Sequence, residues 1–129
     1  MNVLDENIPD SQRQLLKSWR IQVSQIGHEV GRQGLKDEAI IPLLHKLHSV
    51  NFFTRDIGFY RRQLCHPDYC LVCLVVGQYE VASFIRRFLK HPSFNTRAKR
   101  MGKVIRLTHM ELQVWELHAE KERHIPWLP

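Results

Sequence analysis

Three aspartates, Asp5, Asp37 and Asp56, stand where a fold can aim carboxylates at one point. Asp5 follows the short apolar run Asn2-Val-Leu4, Asp37 opens an amphipathic segment, and Asp56 lies two residues beyond Val50-Asn-Phe-Phe-Thr54. Carboxylates brought within a few ångströms repel and raise each other's pKa, so a cluster is costly unless a cation neutralises it. The hard cation suited to an all-oxygen donor set is Mg2+ or Mn2+, which keeps several waters and accepts a phosphate oxygen. The chemistry implied is metal-assisted phosphodiester hydrolysis, in which no side-chain nucleophile is needed.

Each acid also has a structural reading. Asp37 can cap its helix, and Asp56 can stabilise the turn into Ile57-Gly58. Glu6 can face solvent, with Asn7 serving the turn that follows. Asp5 is harder to explain away, because it follows an apolar strand and is expected to be partly buried. It is therefore read as the anchor of the set, with Glu6 and Glu38 as supplementary acids.

The elements that must position these residues follow from periodicity. Asn2 to Leu4 reads as a first strand, and Ser11 with Gln14 reads as the capping box of a helix reaching about Arg20. In that helix Leu15, Leu16 and Trp19 are expected to cover the sheet while Arg13, Lys17 and Arg20 face outward. Ile21 to Ser24 reads as a short second strand, and Gln25 to Gly34, with three glycines, as an irregular connection. Ile40, Leu44 and Leu47 give a second helix from Asp37 to about His48, with Pro42 near its start. Val50 to Thr54 is a third strand and Cys70 to Val76 a fourth, continuously apolar as in a strand buried on both faces. Tyr79 to Lys90 is a third helix. Phe94 to Lys103 is basic and outside any clear helix, Lys103–Leu107 and Leu112–Leu117 form a hairpin, and the tail from Glu120 to Pro129 reads as a loop.

This alternation predicts an α/β fold, a three-layer α/β/α sandwich with a central parallel sheet and a C-terminal β-hairpin. In such a sheet strand ends and following helix starts share one edge, so the three aspartates can converge. The 129 residues suit a single domain spanning 1–129, with a core over about 1–90, the basic segment and hairpin over about 91–118 and a tail over 119–129. Hydrophobic residues at 43% and charged residues at 25% fit a globular chain, and no apolar run is long enough to cross a bilayer. A cytoplasmic location is the simplest expectation.

Cys65, Cys70 and Cys73 are read as free thiols. An offset of three puts Cys70 and Cys73 on opposite faces of a strand, which is wrong for a zinc site shared with Cys65 and His66. His45 and His48 lie three apart on a helix but show no third ligand in the sequence, and the histidines are read as surface residues.

Leu4-Asp-Glu-Asn-Ile-Pro9, Gly27-His-Glu-Val30, Asp37-Glu-Ala-Ile40 and Phe53-Thr-Arg-Asp56 with Phe59 resemble, in order, the motifs of the small bacterial PIN-like proteins. The resemblance spans roughly residues 1–76. PIN domains are metal-dependent ribonucleases, many of them VapC-type toxins of toxin–antitoxin pairs. The resemblance implies a PIN-like domain with Asp5, Asp37 and Asp56 as catalytic and metal-binding acids. Thr54 would be a polar neighbour, and Glu6, Asn7 and Arg55 auxiliary residues of the motifs. It also implies Mg2+ or Mn2+ as cofactor, RNA as substrate and a small antitoxin as partner, and it leaves room for a homodimer. One position departs: where related sequences commonly carry a further acid two residues after the Thr-Arg-Asp aspartate, this chain has Gly58.

The net charge of +6 and a pI near 9.6 suit a polyanionic partner. Arg61, Arg62, Arg97, Lys99, Arg100 and Lys103 are expected to line a groove that neutralises RNA phosphates, with Phe94 as a stacking surface. Two other readings stand beside the ribonuclease. A catalytically silent PIN-like binding module is suggested by Gly58. A receiver-like signalling domain fits acids at the first and third strand ends, but Gly77-Gln78 stands where a strand-borne lysine is expected.

Overall fold

A computed structural model of the chain describes residues 1–127. The elements are β1 (Asn2–Leu4), α1 (Asp10–Ser18), β2 (Ser24–Gln25), α2 (Asp37–Leu47), β3 (Val50–Thr54), β4 (Tyr69–Val75), α3 (Val81–Lys90), α4 (Arg97–Arg100), β5 (Lys103–Thr108), β6 (Glu111–Glu116) and β7 (Arg123–Pro126). Single 3-10 turns at Ile57–Phe59 and Arg62–Leu64 join β3 to β4. The strands form one sheet in the order β2-β1-β3-β4-β5-β6-β7. β1 to β5 run parallel, and β6 and β7 are added antiparallel at one side.

The sheet has helices on both faces, as an α/β/α sandwich requires. β4 divides its apolar side chains by strict alternation: Cys70, Val72 and Leu74 enter one core, and Leu71 and Cys73 the other. The first core is closed by Leu16 of α1 and by Phe84, Ile85 and Phe88 of α3. The second is closed by Ile40 and Leu44 of α2 and by Phe59 from the first 3-10 turn. All three thiols are free.

Several local expectations are corrected. α1 begins at Asp10 and ends at Ser18, so Ser11 lies inside its first turn and no capping box forms. Pro9, with φ −57°, already sets the entry angle, and the Asp10 charge suits the helix N-terminus. Arg13 does not face outward, since its guanidinium pairs with Glu29 and its side chain is only 11% exposed. The second strand is confined to Ser24–Gln25, while Ile21 and Val23 pack on the first core as coil. Arg97–Arg100 is a helical turn, capped by the Thr96 hydroxyl accepting from Lys99 N–H. Arg123–Pro126 is a strand rather than a loop, paired with β6. Pro126 is tolerated there because it ends an edge strand. The last two tail residues, Leu128 and Pro129, lie outside the described residues.

Candidate functional site

The strand order places β1 and β3 side by side at the centre of the parallel part, with their connections leaving in opposite directions. Such a switch point opens a crevice beyond the carboxyl ends of the strands. Asp5 leaves β1 there and Asp56 leaves β3 there. Asp5 N–H donates to Phe53 O at 2.9 Å, which carries the β1–β3 pairing past the last strand residue.

The Asp5 carboxylate is held at both oxygens: Oδ1 accepts Glu6 N–H at 2.8 Å and Oδ2 accepts the Thr54 hydroxyl at 2.6 Å. Thr54 is fully buried, and its Oγ1 in turn accepts Asp56 N–H at 3.0 Å. One hydroxyl therefore sets the spacing between two acids. Asp56 Oδ1 accepts Gly58 N–H at 2.8 Å and opens the 3-10 turn, so the turn-stabilising role of Asp56 is real. A Cβ on Gly58 would stand 2.9 Å from that oxygen, so a side chain there requires the Asp56 carboxylate to shift.

Asp37 is the first residue of α2 and makes no capping bond; the cap position is Lys36. Its carboxyl is pushed up from the ordinary range by desolvation, then by the hydrogen bond and charge of Asp56, then by Asp5 and Glu38. The Asp5 carboxyl is pushed up too, by burial first, with the Asp56 and Glu6 charges adding to it against the Thr54 and Glu6 hydrogen bonds. The three acids thus share one edge and feel one another's charge. Asp37, Glu38, Asp56 and Arg61 line one depression.

The donor set is all oxygen, and among the described residues Asp56 Oδ2 and both Asp37 oxygens accept no backbone N–H. A hard divalent ion that keeps most of its waters fits this arrangement. The acids are not drawn into a tight cage. Among the described residues, three ligand groups within 4.8 Å of one another occur at His45, His66 and Asp68.

The supplementary residues divide. Glu6 is not a further ligand, because both its oxygens accept Gly34 N–H at 2.9 Å and it anchors the glycine-rich loop instead. Asn7 is exposed in the turn before α1. Arg55 reaches from the end of β3 to the end of β4, donating to Val76 O at 3.2 Å. Gln25, which the sequence reading passed over, is buried and donates to the carbonyls of Asp5, Glu6 and Ile8 at 3.0, 3.3 and 2.9 Å. It fixes the turn that carries Asp5, and a lone glutamine in an edge strand has no pattern that would reveal it.

The expected basic groove is not continuous. Arg61 borders the acids, whereas Arg62 lies over the Trp115 ring at 5.5 Å. Arg97, Lys99, Arg100 and Lys103 sit at the opposite edge, because β5 is parallel to β4 and the segment entering β5 lies where the strands begin. Arg100 is a tether there, donating to Asn51 Oδ1 at 3.1 Å and Phe94 O at 2.8 Å. Lys99 donates to Pro92 O at 2.7 Å, and Lys103 to Lys99 O. Phe94 is fully buried and stacked on Phe88 at 5.0 Å, so it offers no surface to a base. Another depression, bordered by Met1, Lys17 and Ile21 among others, is lined by no carboxylate among the described residues.

Compared with protein-family models, curated proteins and solved structures, the chain has no significant match. No helix among the described residues is long and apolar enough to cross a membrane.

Proposed function

We propose that the chain is a metal-dependent ribonuclease of the PIN-like kind, acting at the crevice between β1 and β3 with Asp5, Asp37 and Asp56. The observation that carries this reading is the hydrogen-bonded line Asp56 N–H to Thr54 Oγ1 to Asp5 Oδ2, with Asp37 lining the same depression as Asp56. A fold gains nothing in stability by collecting three carboxylates at a switch point, and such clusters mark functional sites.

When bound, Mg2+ or Mn2+ would activate water and stabilise the charge growing on the scissile phosphate. Asp5 is the pre-set ligand, immobilised by Thr54 and the Glu6 amide. Asp37 and Asp56 supply the freer oxygens. Arg61, on the rim of the same depression, suits a neighbouring phosphate of the RNA. Arg106 and His109 line a second depression with Arg55 along the same edge, and the buried Arg106 Nε has no hydrogen-bond partner among the described residues. By the family resemblance the protein would be the toxin of a toxin–antitoxin pair, held in check by a small antitoxin.

A catalytically silent binding module is the second reading. It is favoured by the bond from Gly58 N–H to Asp56 Oδ1, which gives Asp56 a structural task in the turn. Incubating the protein with RNA and Mn2+ separates the two. Cleavage is expected for the wild type and a loss of at least about 100-fold for Asp5→Asn. Cleavage surviving that substitution rules out this site, and no cleavage by either protein favours the silent module.

A further inference from the structure

A second cluster lies at the other edge of the sheet, where α2 ends and β4 begins. His45 stands in the last turn of α2, His48 terminates it, and His66 and Asp68 enter β4 from the loop after the second 3-10 turn. His45 Nδ1 is 3.1 Å from Asp68 Oδ2, His66 Nδ1 is 3.6 Å from the same oxygen, and His48 Nδ1 is 3.5 Å from Asp68 Oδ1. The rings of His45 and His66 meet edge to face at 4.4 Å.

We infer that His45, His66 and Asp68, whose ligand atoms lie within 4.8 Å of one another, form a binding site for a borderline transition-metal ion of the Zn2+ type, with water completing the coordination and His48 beside it on the other Asp68 oxygen. Imidazole and carboxylate in this ratio are the donors such ions select, whereas Mg2+ prefers oxygen alone. The spacing agrees. Bonds of about 2.0–2.1 Å in a tetrahedron put ligand atoms about 3.3–3.4 Å apart, and the observed 3.1 and 3.6 Å bracket that value.

The surroundings favour a fixed site. His48 and Ser49 have φ of +55° and +53°, a conformation that non-glycine residues rarely adopt, and this bend carries the chain from α2 into β3 beside Asp68. Val50 N–H donates to Asp68 O at 3.3 Å, and His66 stacks on Tyr69 at 5.6 Å, so Asp68 and His66 are both tied to the ends of buried strands. Asp68 N–H donates to His66 Nδ1 at 3.1 Å. Ion capture there would exchange this hydrogen bond for a metal bond and displace the proton between His45 and Asp68. The ion would pin the end of α2 to the start of β4.

Co2+ tests this, because four-coordinate nitrogen-containing sites give intense visible absorption and octahedral oxygen sites only weak bands. Titrating the full chain with Co2+ is expected to give the intense spectrum, abolished by competing Zn2+ and unchanged in Asp5→Asn. His45→Gln and Asp68→Asn should each weaken Co2+ binding at least about 10-fold. Zn2+ at 100 times its Kd should raise the wild-type Tm by about 5 °C or more, and do so far less in either variant. A spectrum indifferent to both substitutions, no intense spectrum at all, or one lost in Asp5→Asn would each overturn the assignment. Absence of ribonuclease activity leaves this test untouched, because it reads the other edge of the sheet.

Discussion

Thr54 is the residue on which the geometry of the acids turns. Its hydroxyl donates to Asp5 and accepts from Asp56, so Thr54→Val, nearly isosteric in a fully buried position, removes both bonds while keeping the shape. The apolar gain of a methyl offsets part of the cost of two unpartnered groups, and the net stability change should stay within about 2 kcal/mol. Activity should respond more. Partners that orient metal ligands are worth about 10–100-fold, and a loss of that size with the fold intact is the expected result in a cleavage assay with circular dichroism alongside. Equal activity in Thr54→Val would mean that Asp5 needs no orientation. Asp5 and Asp56 are visible in the sequence because strand ends are. The link between them is not, because it depends on β1 and β3 being neighbours in space.

At the scale of elements, the question is what holds the glycine-rich loop between β2 and α2, since α2 delivers Asp37. Gly27, Gly31 and Gly34 all take positive φ, while Val30 and Leu35 pack the loop on the second core. Glu6 supplies the grip through Gly34 N–H, and Gln25 secures the opposing turn. Glu6→Ala should cost about 1 kcal/mol in urea unfolding, below the roughly 1.5–3 kcal/mol of a bond to a charged group because this one is exposed. It should leave Mn2+ stabilisation of the fold in place. If Mn2+ no longer raises Tm in that variant, Glu6 is a ligand after all. Elements with a buried stripe, such as α2, β4 and α3, are legible in the sequence because burial imposes their period. α4 and β7 are not: the first is a single turn set by the Thr96 cap, and the second is made by pairing with β6 rather than by an apolar pattern of its own. The histidine cluster escaped for the same reason, since Asp68 meets His45 only once β3 and β4 have aligned.

Across the whole molecule the sheet separates two chemistries, acids at the edge where parallel strands end and histidines with most of the C-terminal basic segment where they begin. The alternation of strands and helices foretold this frame, yet charge counting could not assign the basic residues to an edge, because that depends on the direction of β5. The arrangement has a consequence for stability against pH. Asp5 and Asp37 have carboxyls raised above their ordinary value of 3.8 in the folded protein. A raised group binds its proton more tightly folded than unfolded, so it favours folding fully below about pH 3.8, and this contribution is lost as pH rises through the folded value. At pH 7 the cluster is a net cost. The helix N-terminus pulls the other way, since a negative Asp37 at the start of α2 is worth about 0.3–1 kcal/mol, but the upward direction of its shift shows that repulsion and desolvation prevail. Asp37→Asn should therefore raise Tm at pH 7 without metal, by about 2 °C because solvent screens an exposed group. The gap should close as pH falls toward 4. Mn2+ should close it from the other side by stabilising the wild type more than the variant. A wild type more stable than Asp37→Asn at pH 7 in chelator would show that the helix end outweighs the cluster, and that the carboxylates need no cation to coexist.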